Sequence, residues 1–250
     1  MVSAIWSMPP YEASQMPLTF FLSFFKNHGL FKLKNRPQWY TVENRSKTYV
    51  DKIIDKISGE HFKNYNVNKV VRNDFGAKIY YGGENEFFDY DKVVIATHAD
   101  QALDIIDNPT SDEEEILKNF KYRDNSAVIH FDESIMPKNR KAWCSWNSSM
   151  SKDNIKKTSV TYWLNQLQNL KINRDIFLTI NPFRDIPEDK IFKKVKFTHP
   201  YYDNAALSNQ NNLNKIQNKK NILFCGSYFG YGFHEDGIKS SIDMLKTLND

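Results

Sequence analysis

NILFCGSYFGYGFHEDGI, residues 221–238, is the stretch on which the fold turns. Asn221 to Cys225 reads as a short, uninterrupted apolar strand, the pattern of a strand buried on both faces of a sheet. Gly226 ends the strand and permits close backbone approach. Three of the nine glycines, Gly226, Gly230 and Gly232, fall within seven residues. A helix is expected to start near Asp236, with Ile238, Ile242, Leu245 and Leu248 on one face. Its unpaired N–H groups and positive dipole end suit an anion, or a flavin carrying negative charge near its pyrimidine ring. A structural glycine turn before a capped helix is the other reading.

Lys92 to Thr97 is a second continuously apolar run, and His98 to Ile106 reads as the helix that follows it. Strand followed at once by helix is an α/β signature. Upstream, Val67, Val70 and Val71 mark a strand. Ala77 to Tyr81 and Glu86 to Tyr90 mark two more, separated by the turns at Gly76 and Gly82-Gly83. Gln38 to Val42 reads as a short strand. Ser46 reads as the N-cap of a helix with Tyr49, Val50, Ile53, Ile54 and Ile57 in one stripe, closed by Gly59. Residues 17–25 read as a buried helix stopping at Gly29, or as an interfacial one.

The middle of the chain changes character. Ser111 reads as a helix cap. Strands are expected at Ala127–Phe131, Ala142–Trp146, Thr158–Trp163, Ile176–Ile180 and Ile191–Phe197, forming a mostly antiparallel sheet. A helix over Leu207–Gln217 then returns the chain to α/β. The expected organisation is 1–45, helices and a strand; 46–106, an α/β piece; 107–203, an inserted sheet; and 204–250, the closing strand and helix of the α/β part.

Composition narrows the function. The net charge is +4, and the lysines are scattered rather than gathered into a nucleic-acid footprint. Two distant cysteines offer neither a metal spacing nor a disulfide framework, which fits a reducing, cytoplasmic setting. His234-Glu235 lacks the second histidine of a zinc protease, since Ile238 stands there. No G-x-S-x-G elbow supports a serine nucleophile. Trp143, Trp146 and Trp163 read as core or cavity wall.

Ala96-Thr-His-Ala-Asp-Gln-Ala-Leu103 and Phe224 to Ile238 resemble a bacterial branch of the FAD-dependent amine oxidase superfamily, the NAD/FAD-binding oxidoreductases. Shorter similarities lie at Ile5-Trp-Ser7, Phe25–Leu30, Asn181-Pro182 and Thr198-His-Pro200, so the resemblance spans nearly the whole chain. It implies FAD as cofactor and an α/β fold, α+β overall. A partial Rossmann-like FAD-binding domain, residues 46–106 and 204–250, would be interleaved with a mixed or antiparallel substrate domain, the helices and strand of 1–45 and the sheet of 107–203. It implies that Val67 meets the FAD adenine and that Ala96 and Thr97 end a strand near the dinucleotide. It further implies that Gly226 and Ser227 lie by the pyrophosphate and ribityl chain, and that His234, Glu235 and Asp236 open the helix facing the flavin ring. Tyr228 departs from the pattern, standing where relatives often carry an acid. Glu43-Asn44-Arg45 departs too, where a Gly-rich turn is expected.

The largest departure is the phosphate-binding turn. No G-x-G-x-x-G occurs in the 250 residues, and that motif supplies the close approach to pyrophosphate. The sequence therefore reads as the C-terminal portion of a flavoprotein from a split, truncated or fragmentary gene. Alone it is expected to bind FAD weakly or not at all. The expected function is hydride transfer from a hydrophobic substrate, an acyl chain or isoprenoid, to flavin. The alternative is a binding or structural half acting with a separate N-terminal polypeptide. Peripheral membrane contact through residues 17–25 is a further expectation.

Overall fold

The structure, a computed structural model, describes residues 2–151 and 157–248. Its longer helices are α1 (Leu18–Asn27), α2 (Lys47–Ile54), α3 (Ala99–Ile105), α4 (Ser111–Leu117), α5 (Asn204–Gln210) and α6 (His234–Lys246). Its strands are β1 (Lys69–Arg72), β2 (Ala77–Tyr80), β3 (Phe87–Tyr90), β4 (Val93–Ile95), β5 (Lys121–His130), β6 (Trp146–Met150), β7 (Thr158–Trp163), β8 (Phe177–Ile180), β9 (Ile191–Tyr201) and β10 (Ile222–Phe224). The chain divides into two units, residues 1–60 with 123–199, and residues 61–122 with 200–250. Residues 46–60 thus fall in the first unit and residues 61–106 in the second.

In the second unit β1, β2 and β3 form an antiparallel meander. The first turn needs glycine, because a Cβ at Gly76 would lie 1.9 Å from Tyr90 O. The Asn73 side chain accepts from the N–H groups of Phe75 and Gly76, an Asx turn. β4 and β10 run parallel, with Ile222 opposite Val93 and Phe224 opposite Ile95. These four side chains share one face and form a core with Ala99, Ala102, Leu117, Leu213 and Ile216. Fully buried apolar side chains of this size each contribute about 1.5–3 kcal/mol.

The opposite face corrects the expectation of burial on both sides. β10 is wholly buried, but Val94 of β4 is 44% exposed, and Ala96 and Thr97 are exposed as well. α6 differs likewise. It begins at His234, and its expected apolar stripe is in water: Ile238 is 47% exposed, and Ile242 and Leu245 each 53%. Met244 and Ser240 are the residues it buries.

Local chemistry moves two other boundaries. The N-cap of α4 is Thr110, not Ser111. Thr110 Oγ1 accepts from Glu113 N–H at 3.2 Å, and Glu113 Oε2 accepts from Thr110 N–H at 2.8 Å, a capping box. The expected helix over 207–217 is shorter and shifted. Asp203 caps α5 through Ala206 N–H, α5 ends at Gln210, and a 3₁₀ turn follows at Leu213–Ile216. Three asparagines among residues 209–212 suit a break.

In the first unit the sheet order is β6-β7-β8-β5-β9, with antiparallel pairing at β6–β7, β7–β8 and β8–β5. Phe20, Phe24 and Phe25 of α1 are buried, and the rings of Phe20 and Phe24 lie 5.7 and 4.8 Å from Trp6. The core reading of residues 17–25 thus accounts for these three rings. Two expected strands are not formed. Residues 38–42 are exposed and irregular, and no strand pairs with them among the described residues. At 142–145 the chain leaves a 3₁₀ turn (Arg140–Ala142) and is held by Trp143 Nε1 donating to Pro137 O; the strand starts only at Trp146. Ser46 makes no side-chain cap, and α2 buries no residue.

Trp143 and Trp163 do carry a cation. The Arg140 guanidinium lies 4.4 and 5.6 Å from their ring centres. Asp175 accepts from both Arg140 and Trp163 Nε1, at 2.6 and 2.8 Å. All four residues belong to the first unit, and the Arg140 side chain is exposed.

Candidate functional site

The parallel pairing of β4 and β10 sets two chain exits side by side. Beyond Ile95 come Ala96 and Thr97; beyond Phe224 come Cys225, Gly226 and Ser227. Cys225 N–H donates to Ile95 O at 3.2 Å and extends the ladder by one residue. Carboxyl ends of parallel strands are where α/β sheets bind ligands.

Gly226 is required by its own surroundings. A Cβ there would lie 2.7 Å from Tyr228 Cε1 and 3.3 Å from Thr97 O. Tyr228 is 2% exposed and packs on Phe120 and Phe229, at centroid distances of 5.2 and 4.9 Å. Burial holds its phenol well above the usual tyrosine range, and its hydroxyl has no hydrogen-bond partner among the described residues. The departure noted at Tyr228 thus has a packing role: the ring fills the space beside Gly226.

The loop is tied down from several sides. Ser227 O accepts from Gly230 N–H and Gly232 N–H at 3.1 and 3.2 Å. Gln210 Nε2 donates to Tyr228 O at 3.0 Å and Gly230 O at 2.6 Å. Gly232 has φ +96°, and a Cβ there would lie 2.9 Å from the Tyr202 hydroxyl. Asp236 Oδ2 accepts from Phe233 N–H at 2.9 Å, so the first turn of α6 is capped from within. A cleft of about 400 Å³ opens on the polar side of α6, lined by Gln210, Gly230, Asp236, Lys239 and Asp243.

These placements test the fit of a flavin dinucleotide. Ala96, Thr97, His234 and Glu235 are exposed, while Gly226, Ser227 and Asp236 are half-buried. The exit of β4 is therefore open to solvent, beside a residue without a side chain at Gly226. The donors for phosphate are scarcer. The Gly226 N–H is taken by Ser240 Oγ, and the two carboxylates of Glu235 and Asp236 oppose the positive end of α6. The residues present fit a ring or sugar portion and not a pyrophosphate. Val67 lies two residues before β1, 39% exposed, and not within a strand.

Ser240 and Gln210 escaped the sequence reading. Ser240 sits three residues after Gly237 on a helix read for its N-terminal end and its apolar stripe. Gln210 acts on a loop eighteen residues away. Neither carries a motif. Tyr122 escaped it too. Its hydroxyl accepts from Ala99 N–H at 3.0 Å at the start of α3, and its ring stacks on His98 at 4.2 Å.

Among the described residues no cluster of three His, Cys, Asp or Glu side chains is arranged to hold a metal ion, and no helix is long and apolar enough to cross a membrane. Cys144 and Cys225 are both free thiols.

No family model matches the chain, and no curated protein matches it in sequence. Solved structures do match in fold. A protein described as a protoporphyrinogen oxidase from Exiguobacterium sp. 255-15 superposes with a TM-score of 0.61 at 11% identity, covering 99% of this chain and 61% of that one. Cyclohexylamine oxidase from Brevibacterium oxydans IH-35A gives 0.58 at 11% identity, covering 100% and 63%. A CLA-producing fatty acid isomerase from P. acnes gives 0.56 at 12% identity, covering 81% and 51%. The chain spans 51–63% of the length of these three neighbours. In fold, this mixed α/β chain is similar to a part of the solved amine oxidases.

Proposed function

We propose that the chain is part of a flavin-dependent oxidoreductase of the amine oxidase type, acting with a further polypeptide that completes the dinucleotide site. One observation carries the reading. Beside the strand–loop–helix of residues 222–246 the exit of β4, Ala96 and Thr97, is exposed, while the apolar stripe of α6 stands in water. A stripe of that kind is a surface made to be covered.

In this reading Ala96, Thr97, Gly226 and Ser227 border FAD at the strand ends. His234, Glu235 and Asp236 border it from the start of α6, and Val67 flanks the adenine. When bound, FAD supplies the acceptor for a hydride from a substrate C–H bond. Gly226 keeps that edge clear of a side chain, and Ser240 and Gln210 hold the loop in place. The covering polypeptide brings the phosphate donors that this chain lacks. The substrate is hydrophobic, an acyl chain or isoprenoid. The exposed Trp146, stacked on Tyr162 at 5.9 Å, supports that class.

A second reading is a structural half with no activity of its own. The carboxylates at the start of α6 favour it, since they disfavour phosphate there.

The test is the visible absorption of the purified chain after dialysis from excess FAD, alone and co-expressed with a polypeptide carrying a G-x-G-x-x-G unit. Flavin retained only by the pair supports the proposal. About one flavin per chain on the isolated protein removes the need for a second polypeptide. No flavin in either preparation rejects the flavoprotein reading and leaves the structural one.

A further inference from the structure

We propose that the surface of residues 18–42 docks the protein on an anionic lipid surface. The inference is independent of the flavin reading. No acidic residue lies between Glu12 and Glu43, while Lys26, Lys32, Lys34 and Arg36 all do. The four cations are exposed and form no ion pair with the described residues. Their charge is therefore uncompensated locally.

Apolar groups share that surface. α1 turns Phe20, Phe24 and Phe25 inward and leaves Leu18 66% and Leu22 43% exposed. Beyond it, Leu33 is 90%, Trp39 64% and Tyr40 88% exposed. The presentation is built. α1 closes with Leu30 N–H donating to Phe25 O at 2.9 Å and Gly29 at φ +64°, a Schellman end. A Cβ on Gly29 would lie 2.8 Å from Pro37 Cδ, so the chain folds back onto the helix end. Arg36 Nε donates to Lys32 O at 2.8 Å and draws the loop together. The loop carries Leu33 between Lys32 and Lys34, with an indole and a phenol just beyond.

Charge complementarity selects the occupant. Lysines reach anionic headgroups, leucine enters the acyl boundary, and tryptophan and tyrosine suit the headgroup level. A nucleic acid would engage the cations but leave Leu18, Leu22 and Leu33 in water. The contact lies largely beyond residues 17–25, because the core takes most of the aromatic rings of that segment.

The experiment is flotation of the purified protein with phosphatidylcholine vesicles, with and without phosphatidylserine. Binding is expected only with phosphatidylserine and should weaken as salt rises. Lys32→Gln with Lys34→Gln should lower partitioning about thirtyfold, near fivefold per charge. Lys32→Arg with Lys34→Arg should bind like the parent, and Leu33→Ser should weaken binding with an unchanged far-UV spectrum. Equal binding to neutral vesicles overturns the proposal, as does an unaffected Gln variant. So does loss of binding through Ile242→Asp alone, which would assign the contact to α6. If a co-expressed polypeptide abolishes lipid binding, the surface belongs to a protein partner and the proposal also fails.

Discussion

The Ser240 hydroxyl accepts the Gly226 N–H at 2.9 Å and donates to Gly237 O at 2.7 Å. One side chain thereby joins the end of β10 to the first turns of α6. Ser240→Ala leaves the Gly226 donor without its acceptor. The expected cost is about 1–2 kcal/mol of stability. Denaturant titration checks it, and a midpoint equal to that of the parent would show that water serves the Gly226 donor equally well.

Gly226→Ala meets a harder obstacle. The new Cβ would lie 2.7 and 2.9 Å from two atoms of the Tyr228 ring, which is walled in by Phe120 and Phe229. The expected loss is about 1–3 kcal/mol, as for overpacked cores. A double-mutant cycle with Tyr228→Leu should show coupling, because the smaller side chain removes the clash. Strict additivity would point away from Tyr228 as the obstacle.

Ile242→Asp separates folding from association. Ile242 is 53% exposed, so the substitution should change stability by no more than about 0.5 kcal/mol. It should nevertheless abolish association with a completing polypeptide, read by co-purification. A large loss of stability in the isolated chain would mean that the stripe is already covered.

Much of this was legible in the sequence, and the gaps have physical causes. The apolar runs at Val93–Ile95 and Ile222–Phe224 were legible as strands because continuous hydrophobicity marks a strand beneath a layer; their parallel pairing was not. The run Thr158–Trp163 became β7 with the same bounds. What periodicity could not report was whether a partner is present. Val94, Ile238 and Ile242 carry core-type side chains and stand in water, so pattern alone overstated their burial. Residues 38–42 have strand propensity and no ladder to join. The site was legible where glycine marked it, at 226, 230 and 232. It was illegible where a polar side chain acts at long range, as Gln210 and Ser240 do.

Glu113 carries two duties. Its carboxylate is fully buried, pairs with Arg72 of β1 and closes the capping box with Thr110. Glu113→Ala strands a guanidinium that is only 11% exposed and removes the cap. The expected loss is about 3–5 kcal/mol, typical of one partner removed from a buried pair. Glu113→Gln keeps the shape and most of the cap, so it should lose less. Thermal unfolding of the two variants ranks them, and equal losses would locate the effect in the charge rather than the cap.

His130 sets an acid limit on the first unit. It is fully buried; Nε2 lies 2.7 Å from Thr179 Oγ1, and Nδ1 accepts from Asp132 N–H at 3.1 Å. That bond assigns a neutral ring with its proton on Nε2. Burial pushes the imidazole from its usual 6.5 down to about 4, partly countered by the Asp132 charge. The unfolded chain therefore takes up this proton near pH 6.5 and the folded chain only near 4. Between these values the unfolded state binds more protons, so the stabilisation is complete above 6.5 and declines as pH falls towards 4. Asp132 adds a further loss at lower pH. Burial opposes ionisation of its carboxyl, but Lys190 and Ser134 hold it below the usual range. Melting temperatures of the parent should fall through the histidine window more steeply than those of His130→Gln, whose amide can still meet Thr179 without titrating. Parallel curves would mean that His130 is reached by water and protonates in the folded state as readily as in the unfolded one.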